Sequence, residues 1–516
     1  MAQNRRTTKP RSRNGCITCK IRHVKCDEAK PECTQCQKSG RKCDGYDNAS
    51  QTQLRQRIAE RHRPIERGAF GANHRLVLRQ ESRTERRYVD FFYTHTSHAF
   101  SGFYESKLWS YLIPQLGEHE PSIRHAMTAI GAIHSRVQIA ASSPTPAENS
   151  APTERFVLEE YNKSIQTLVK SLAASNGDNL DLTLTTCCLF VCLEMLRGNQ
   201  KEALDHIEAG LRIIHKHEQT RSLTTHSNEL YHELRDMFLR LNLQSSFMGR
   251  LLIPLKLTTT TLSPTFSLPT LSEARSTLDQ LMTKSLLYIR SVGIMREARD
   301  PETQADLEAE QDEILQELLA WRSAFDKLLL KLAPKLNAAD HCASLLLRIY
   351  YNTAHFWLLV VLARDEDRYD YFTPEFEEVV ANAEQIIQIT TSSPSFDPSH
   401  AFTLEGELIG PLYYAACRCR HPTIRRRAIN VLEHHSKREG MWDARVYCAV
   451  AKLVVQVEES QCVVPPTSES DIGTLARVYE EVQQKDFKPN PVQVTLYLKP
   501  HGVDGPWVMR GFMVDW

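Results

Sequence analysis

Residues 16–46 read CITCKIRHVKCDEAKPECTQCQKSGRKCDGY, and six of the 14 cysteines of the 516-residue chain fall within this one stretch. They are Cys16, Cys19, Cys26, Cys33, Cys36 and Cys43, spaced C-x2-C-x6-C-x6-C-x2-C-x6-C, which is the triplet C-x2-C-x6-C written twice. A C-x2-C step at a helix start aims two sulfurs at one centre, and a third cysteine one helix further on completes three ligands. Zinc takes four thiolates in a tetrahedron, at about 2.3 Å each. Three sulfurs per half leave each ion one short, and none of the other cysteines lies nearby. The deficit closes when one cysteine from each half bridges both metals. The stoichiometry therefore predicts two structural zinc ions sharing six sulfurs.

A disulfide-stapled module or a redox-sensing thiol cluster would use the same residues differently. The first fifteen residues, MAQNRRTTKPRSRNG, have a basic start with no apolar run behind it, and the longest fully apolar stretch, Phe356 to Ala363, is 8 residues. A bilayer span needs about 18–20. The expectation is a soluble, intracellular protein with no membrane partner, in a compartment where disulfides are rare. Arg5, Arg6, Lys9, Arg11 and Arg13 suit a nuclear-import signal or a phosphate-binding arm, or both.

Charge is distributed unevenly. The chain has 63 Lys+Arg and 63 Asp+Glu, yet residues 1–80 carry a net +12 and residues 81–516 a net −12. A basic head on an acidic body fits a nucleic-acid-binding segment joined to something else. Within the head, Lys20, Ile21, Arg22, His23, Val24 and Lys25 separate Cys19 from Cys26. On a short helix Ile21 and Val24, three apart, share a face that can pack on the cluster. Lys20, Arg22, His23 and Lys25 then point outward. Such a helix fits the major groove, where Arg or Lys pairs bidentately with guanine O6 and N7.

The cysteine pattern, the basic run after the second cysteine and the Lys30-Pro31 loop together resemble the fungal binuclear zinc-cluster DNA-binding domain of transcription factors. The resemblance implies that Cys16 and Cys33 bridge, that Cys19 and Cys26 complete one zinc, and that Cys36 and Cys43 complete the other. It places Arg22 and His23 where bases are read, typically in CGG-like triplets, with Lys20 and Lys25 on phosphate. His23 stands where many members carry a second Lys or Arg. Lys38, Arg41 and Lys42 repeat the basic pattern in the second half and suit phosphate contacts. The implied partner is double-stranded DNA, and the implied location is the nucleus.

Residues 47–80 read as a linker. Leu54 and Ile58 are the only large apolar residues of Thr52–Arg63, and Pro64, Gly68 and Gly71 follow. No run of heptads supports a coiled coil here, so a homodimer, if formed, is expected through the body.

The body, residues 81–516, is dominated by helical periodicity. Ile123, Met127, Ile130 and Ile133 recur at steps of four and three, as do Ile314, Leu318, Trp321, Phe325 and Leu328. Further helices are expected over Glu85–Phe100, Thr153–Ala173, Leu182–Arg197, Lys201–His217, Asn228–Arg250, Ser272–Ala298, His341–Arg364, Pro374–Thr390, Thr403–Cys417, Ile424–Lys437 and Ala444–Glu458. Near the end, Val492, Val494, Leu496 and Leu498 alternate with Gln493, Thr495 and Tyr497. With turn residues His501–Pro506 and a second run to Trp516, this reads as a β-hairpin; an acidic–aromatic activation tail is the other reading. Gly198–Ile214 and Pro411–Val446 resemble the helical regulatory region that follows such clusters, which implies contact with other transcription proteins.

The expected fold class is thus a small zinc-cluster DNA-binding module followed by a mainly all-α regulatory domain with a C-terminal β-hairpin. Its parts are a basic arm (1–14), the cluster (15–46), the linker (47–80) and the regulatory body (81–516). The expected function is a sequence-specific transcription factor acting on RNA polymerase II genes, and the resemblance implies those of a metabolic or secondary-metabolite gene cluster. The rival readings are an RNA-binding cluster protein and an enzyme with an appended zinc module. Against an enzyme, no G-x-S-x-G, P-loop or G-x-G-x-x-G occurs. Cys187, Cys188 and Cys192 read as buried hydrophobes, Cys417 and Cys419 near His421 as no metal site, and His434-His435 as a surface or helix-end feature.

Overall fold

The computed structural model describes residues 16, 18–19, 24–40, 43, 82–142, 150–174, 179–220, 228–257, 266–294, 301–393, 402–435, 437–483 and 490–516. They fall into two units, Met1–Gln80 and Glu81–Trp516. The second is mostly helical, with small antiparallel strands near its C-terminal end.

Its first helix, Arg83–Phe91, begins where Ser82 and Glu85 cap each other: the Glu85 amide donates to Ser82 Oγ (3.1 Å) and the Ser82 amide to Glu85 Oε2 (2.7 Å). One π-type turn, Phe92–Thr96, links it to Ser97–Ser101. The Pro121–Ser142 helix crosses it at backbone contact, because a Cβ at Gly131 would lie 2.1 Å from the Tyr88 carbonyl oxygen. Leu180–Arg197 is capped by Asn179, ends at left-handed Gly198 and is buried on every side from Leu184 to Leu196. A helix apolar all round belongs in a core. It packs against Pro121–Ser142 and Gln200–Thr220, forming the first of three apolar clusters in this unit.

A second cluster joins Ala338–Val361, Thr373–Ser392, Ile409–Arg418, Pro422–His434 and Ala444–Glu459. The third centres on Trp321 of Pro301–Leu332, fully buried, with its indole N–H donated to the Ala274 carbonyl at 3.0 Å. Both periodic sets read from the sequence face cores: Ile123, Met127, Ile130 and Ile133 are fully buried, and Ile314, Leu318, Phe325 and Leu328 are at most 3% exposed.

The expected hairpin is present, as β5 (Val492–Leu498) paired antiparallel with β6 (Val508–Val514). It belongs to a three-stranded sheet, since β4 (Val478–Gln483) pairs with the other side of β5. Phe512 and Trp516 are half-buried against the second cluster, so the terminal segment packs as a strand. Glu458 anchors this sheet. It is fully buried, pairs with Arg420 (3.0 Å) and Arg425 (2.7 Å), and accepts the Val478 amide at 2.9 Å.

Two helix expectations need correction. Residues expected to open a helix at Thr403 instead form β1 (Phe402–Thr403), and the helix begins at Ile409. The reason is Glu439, whose buried carboxylate accepts the amides of Glu407, Leu408 and Ile409 at 2.8–3.0 Å and so fixes the helix start. The helix expected to run to Lys437 stops at His434, and Arg438–Glu439 becomes β2, between β1 and β3 (Trp442–Asp443). The helical segment Leu108–His119, which contains a π-type turn, carried no clear periodic signal around Pro114 and Gly117.

Candidate metal centre and nucleic-acid interface

All six clustered cysteines are buried, none more than 7% exposed. Their sulfurs form two groups, Cys16–Cys19–Cys26–Cys33 and Cys16–Cys33–Cys36–Cys43, each with its four Sγ atoms within 4.8 Å of one another. Cys16 and Cys33 belong to both groups. The Sγ separations are 3.5 Å for Cys16–Cys33, 3.8 Å for Cys16–Cys36 and 3.7 Å for Cys19–Cys33. A tetrahedron with metal–sulfur bonds of about 2.3 Å has edges of about 3.8 Å, so the spacing suits zinc.

Backbone amides repeat the twofold pattern of the sequence, with counterparts 17 residues apart. Cys16 N–H donates to Cys26 Sγ (3.3 Å) as Cys33 N–H donates to Cys43 Sγ (3.5 Å). Cys19 N–H donates to Cys16 Sγ (3.4 Å) as Cys36 N–H donates to Cys33 Sγ (3.3 Å). Donors aimed at sulfur favour thiolates over thiols. Burial acts in the opposite direction, pushing the Cys16 thiol up to about 12 and raising Cys19 and Cys33 as well. A cation at the centre resolves that conflict, because a coordinating thiol is deprotonated outright.

Asp27 joins the halves, a role the sequence reading missed. Its carboxylate accepts from the Thr34 hydroxyl and from the amides of Thr34 (3.1 Å) and Gln35 (3.4 Å), at the start of the Thr34–Lys38 helix. Those bonds, the Thr34 hydroxyl first, hold the Asp27 carboxyl below its ordinary range. The available signal was an acid directly after Cys26 and a threonine directly after Cys33. Val24 packs on the sulfurs as expected. Lys25 and Lys38 are exposed. Lys20, Ile21, Arg22, His23, Arg41, Lys42 and the linker 47–80 lie outside the described residues.

The other candidates behave as packing groups. Cys187, Cys188 and Cys192 lie in the first core and Cys417 and Cys419 in the second. His434 is exposed at its helix end, but His435 is not a surface group: it is buried, with Nε2 2.9 Å from Glu439 Oε1. Glu85, His125 and Glu160 also converge, and Lys163 already supplies the cation there, 2.6 Å from Glu160 and 3.4 Å from Glu85. No helix among the described residues is long and apolar enough to cross a membrane.

A six-sulfur zinc module ahead of a helical body defines the class of protein. The chain matches the fungal Zn(2)-Cys(6) binuclear cluster domain over residues 14–53 and the fungal specific transcription factor domain over residues 87–447. It belongs to the fungal Zn(2)-Cys(6) transcription factors, and accordingly has a zinc-binding cysteine cluster and binds DNA. It is similar to the aspercryptin biosynthesis cluster-specific transcription regulator atnN of Emericella nidulans, 24% identical over 87% of this chain and 88% of the relative. It is also similar to the transcription regulator lscL of Purpureocillium lilacinum, 25% identical over 41% of this chain and 51% of that protein. The transcriptional regulatory protein moc3 of Schizosaccharomyces pombe is 51% identical over 8% of each chain. No solved structure matches.

Proposed function

We propose that the head holds two zinc ions, with Cys16 and Cys33 bridging, Cys19 and Cys26 completing one and Cys36 and Cys43 the other. The observation that carries this reading is the membership of Cys16 and Cys33 in both four-sulfur groups. Zinc supplies structure here: a segment with so few large apolar side chains has no core of its own. Two ions and six thiolates sum to about −2, offset by the surrounding basic residues. Arg22 and His23 read base edges of a CGG-like triplet in the major groove, while Lys20, Lys25, Lys38, Arg41 and Lys42 hold phosphates. The basic arm 1–14 adds phosphate contacts and directs nuclear import, residues 47–80 connect, and the body 81–516 meets the transcription machinery and, where the protein dimerises, a second copy. The body is not catalytic. Its targets are genes of a secondary-metabolite cluster, a reading supported by the name of the Emericella nidulans relative, which aligns over most of both chains.

Selection of bound sites from random duplex DNA, with elemental analysis of the same protein, tests this. The expected result is two zinc ions per chain and a CGG-like triplet; one ion, none, or equal affinity for single-stranded RNA would overturn it.

A further inference from the structure

The body contains a cavity of about 430 Å³ that DNA reading does not use. Its wall is a belt of aromatic rings. Tyr414 lies 5.9 Å from Trp357 between centroids, Trp357 5.4 Å from Phe247, and Phe247 6.2 Å from Trp442. Trp442 is then 4.4 Å from Tyr447, and Tyr447 4.9 Å from Tyr413, which adjoins Tyr414 in the chain and closes the belt. These rings come from the Glu229–Phe247, Ala338–Val361, Ile409–Arg418 and Ala444–Glu459 helices and from β3, so the cavity is a meeting point of remote segments. Both its volume and its apolar wall suit a drug-sized ligand, whose sites run to about 300–1,000 Å³.

Polar atoms in the wall narrow the ligand class. Gln244, 7% exposed, donates its amide N–H to the Leu404 carbonyl at 3.3 Å, and its Oε1 is buried against Gly440, which does not line the cavity. The Tyr413 hydroxyl oxygen is buried away from the open space, and the Tyr350 hydroxyl donates to the Gly406 carbonyl at 2.8 Å. No lysine, arginine or histidine lines the cavity among the described residues. Glu480 is exposed at the mouth, and Glu481 there is paired with Arg418 at 2.8 Å. An anion therefore meets an apolar wall and carboxylates with no cation to receive it.

We infer that this cavity is a binding site for an uncharged aromatic small molecule. The site belongs to the body alone and does not rest on the DNA-reading proposal.

The test titrates full-length, zinc-loaded protein with N-phenylnaphthylamine, a neutral aromatic amine, and with its sulfonated counterpart, anilinonaphthalene sulfonate. The neutral probe is expected to saturate at one per chain, with energy transfer from tryptophan. The sulfonate is expected to bind at least about tenfold more weakly, since burying a charge unpaired is costly. At Gly410 a Cβ would meet the Trp442 ring at 3.7 Å, an ordinary contact, so the backbone there accepts a side chain that fills the cavity. Gly410→Leu should weaken probe binding at least about tenfold by occupying that space. Absence of saturable binding, or parental affinity in Gly410→Leu, overturns the site. Equal affinity for both probes overturns the ligand class. The readout involves no DNA, so its failure leaves the DNA-reading proposal standing.

Discussion

The two units of this chain are held together by different forces. Around the six sulfurs of the head, Val24 is the one apolar side chain packed against them among the described residues. The body instead buries three apolar clusters, with Trp109, Trp321, Phe325 and Phe356 each at most 1% exposed. A domain of the second kind draws its stability from apolar burial. One of the first kind stands or falls with its metal, because binding free energy is folding free energy. The same protein should therefore fail in two separable ways.

Metal removal should separate them most sharply. Chelation, or Cys33→Ala, should unfold the head and abolish DNA binding, since structural zinc is worth about 10–16 kcal/mol in small modules. The far-UV helical signal of the body should persist; its collapse on chelation would show that the units are not independent. Next comes the buried ion cluster of the body. Glu458→Gln should destabilise the body by about 3–5 kcal/mol, leaving buried Arg420 and Arg425 short of their counter-charge, with zinc content unchanged. Burial alone would raise the Glu458 carboxyl, but Arg420, Arg425 and the Val478 amide outweigh it and hold the group below its ordinary range. A depressed carboxyl stabilises above its unfolded pKa of about 4.3 and loses that contribution as pH falls through the folded value. Melting temperature against pH should thus drop more steeply in the acid limb for the parent than for Glu458→Gln.

Smaller effects test the surface of the head. Arg22→Ala should leave zinc bound and cost about 1–3 kcal/mol at a single base pair, measured by competition between site variants. Lys38→Ala should weaken binding uniformly across sequences and reduce the salt slope by about 1. If Lys38→Ala instead altered triplet preference, the second half would be reading bases.

What could be read from the chain follows the range of the interactions involved. The grouping of the six cysteines is local, and their spacing alone announces it. The helix faces of Ile123–Ile133 and Ile314–Leu328 are local too, and both turn inward. Long-range pairing was not legible. Phe402 and Thr403 are a two-residue strand only because Arg438 and Glu439 lie beside them. The Glu439 carboxylate that starts the Ile409–Arg418 helix sits thirty residues downstream, with no spacing rule to announce it. In the same way, VYEEVQ at 478–483 has weak alternation and becomes a strand by pairing with β5.

The head's amide–sulfur bonds repeat almost unchanged when one half is laid over the other. A frame that looks the same after half a turn has no inherent front or back, and could approach a duplex either way round. The sequence differs between the halves: the counterparts of Arg22 and His23 in the second half are Ser39 and Gly40, which are short and uncharged. If Arg22 and His23 read bases as proposed, polarity on DNA comes from a few differences between two halves of a repeated scaffold.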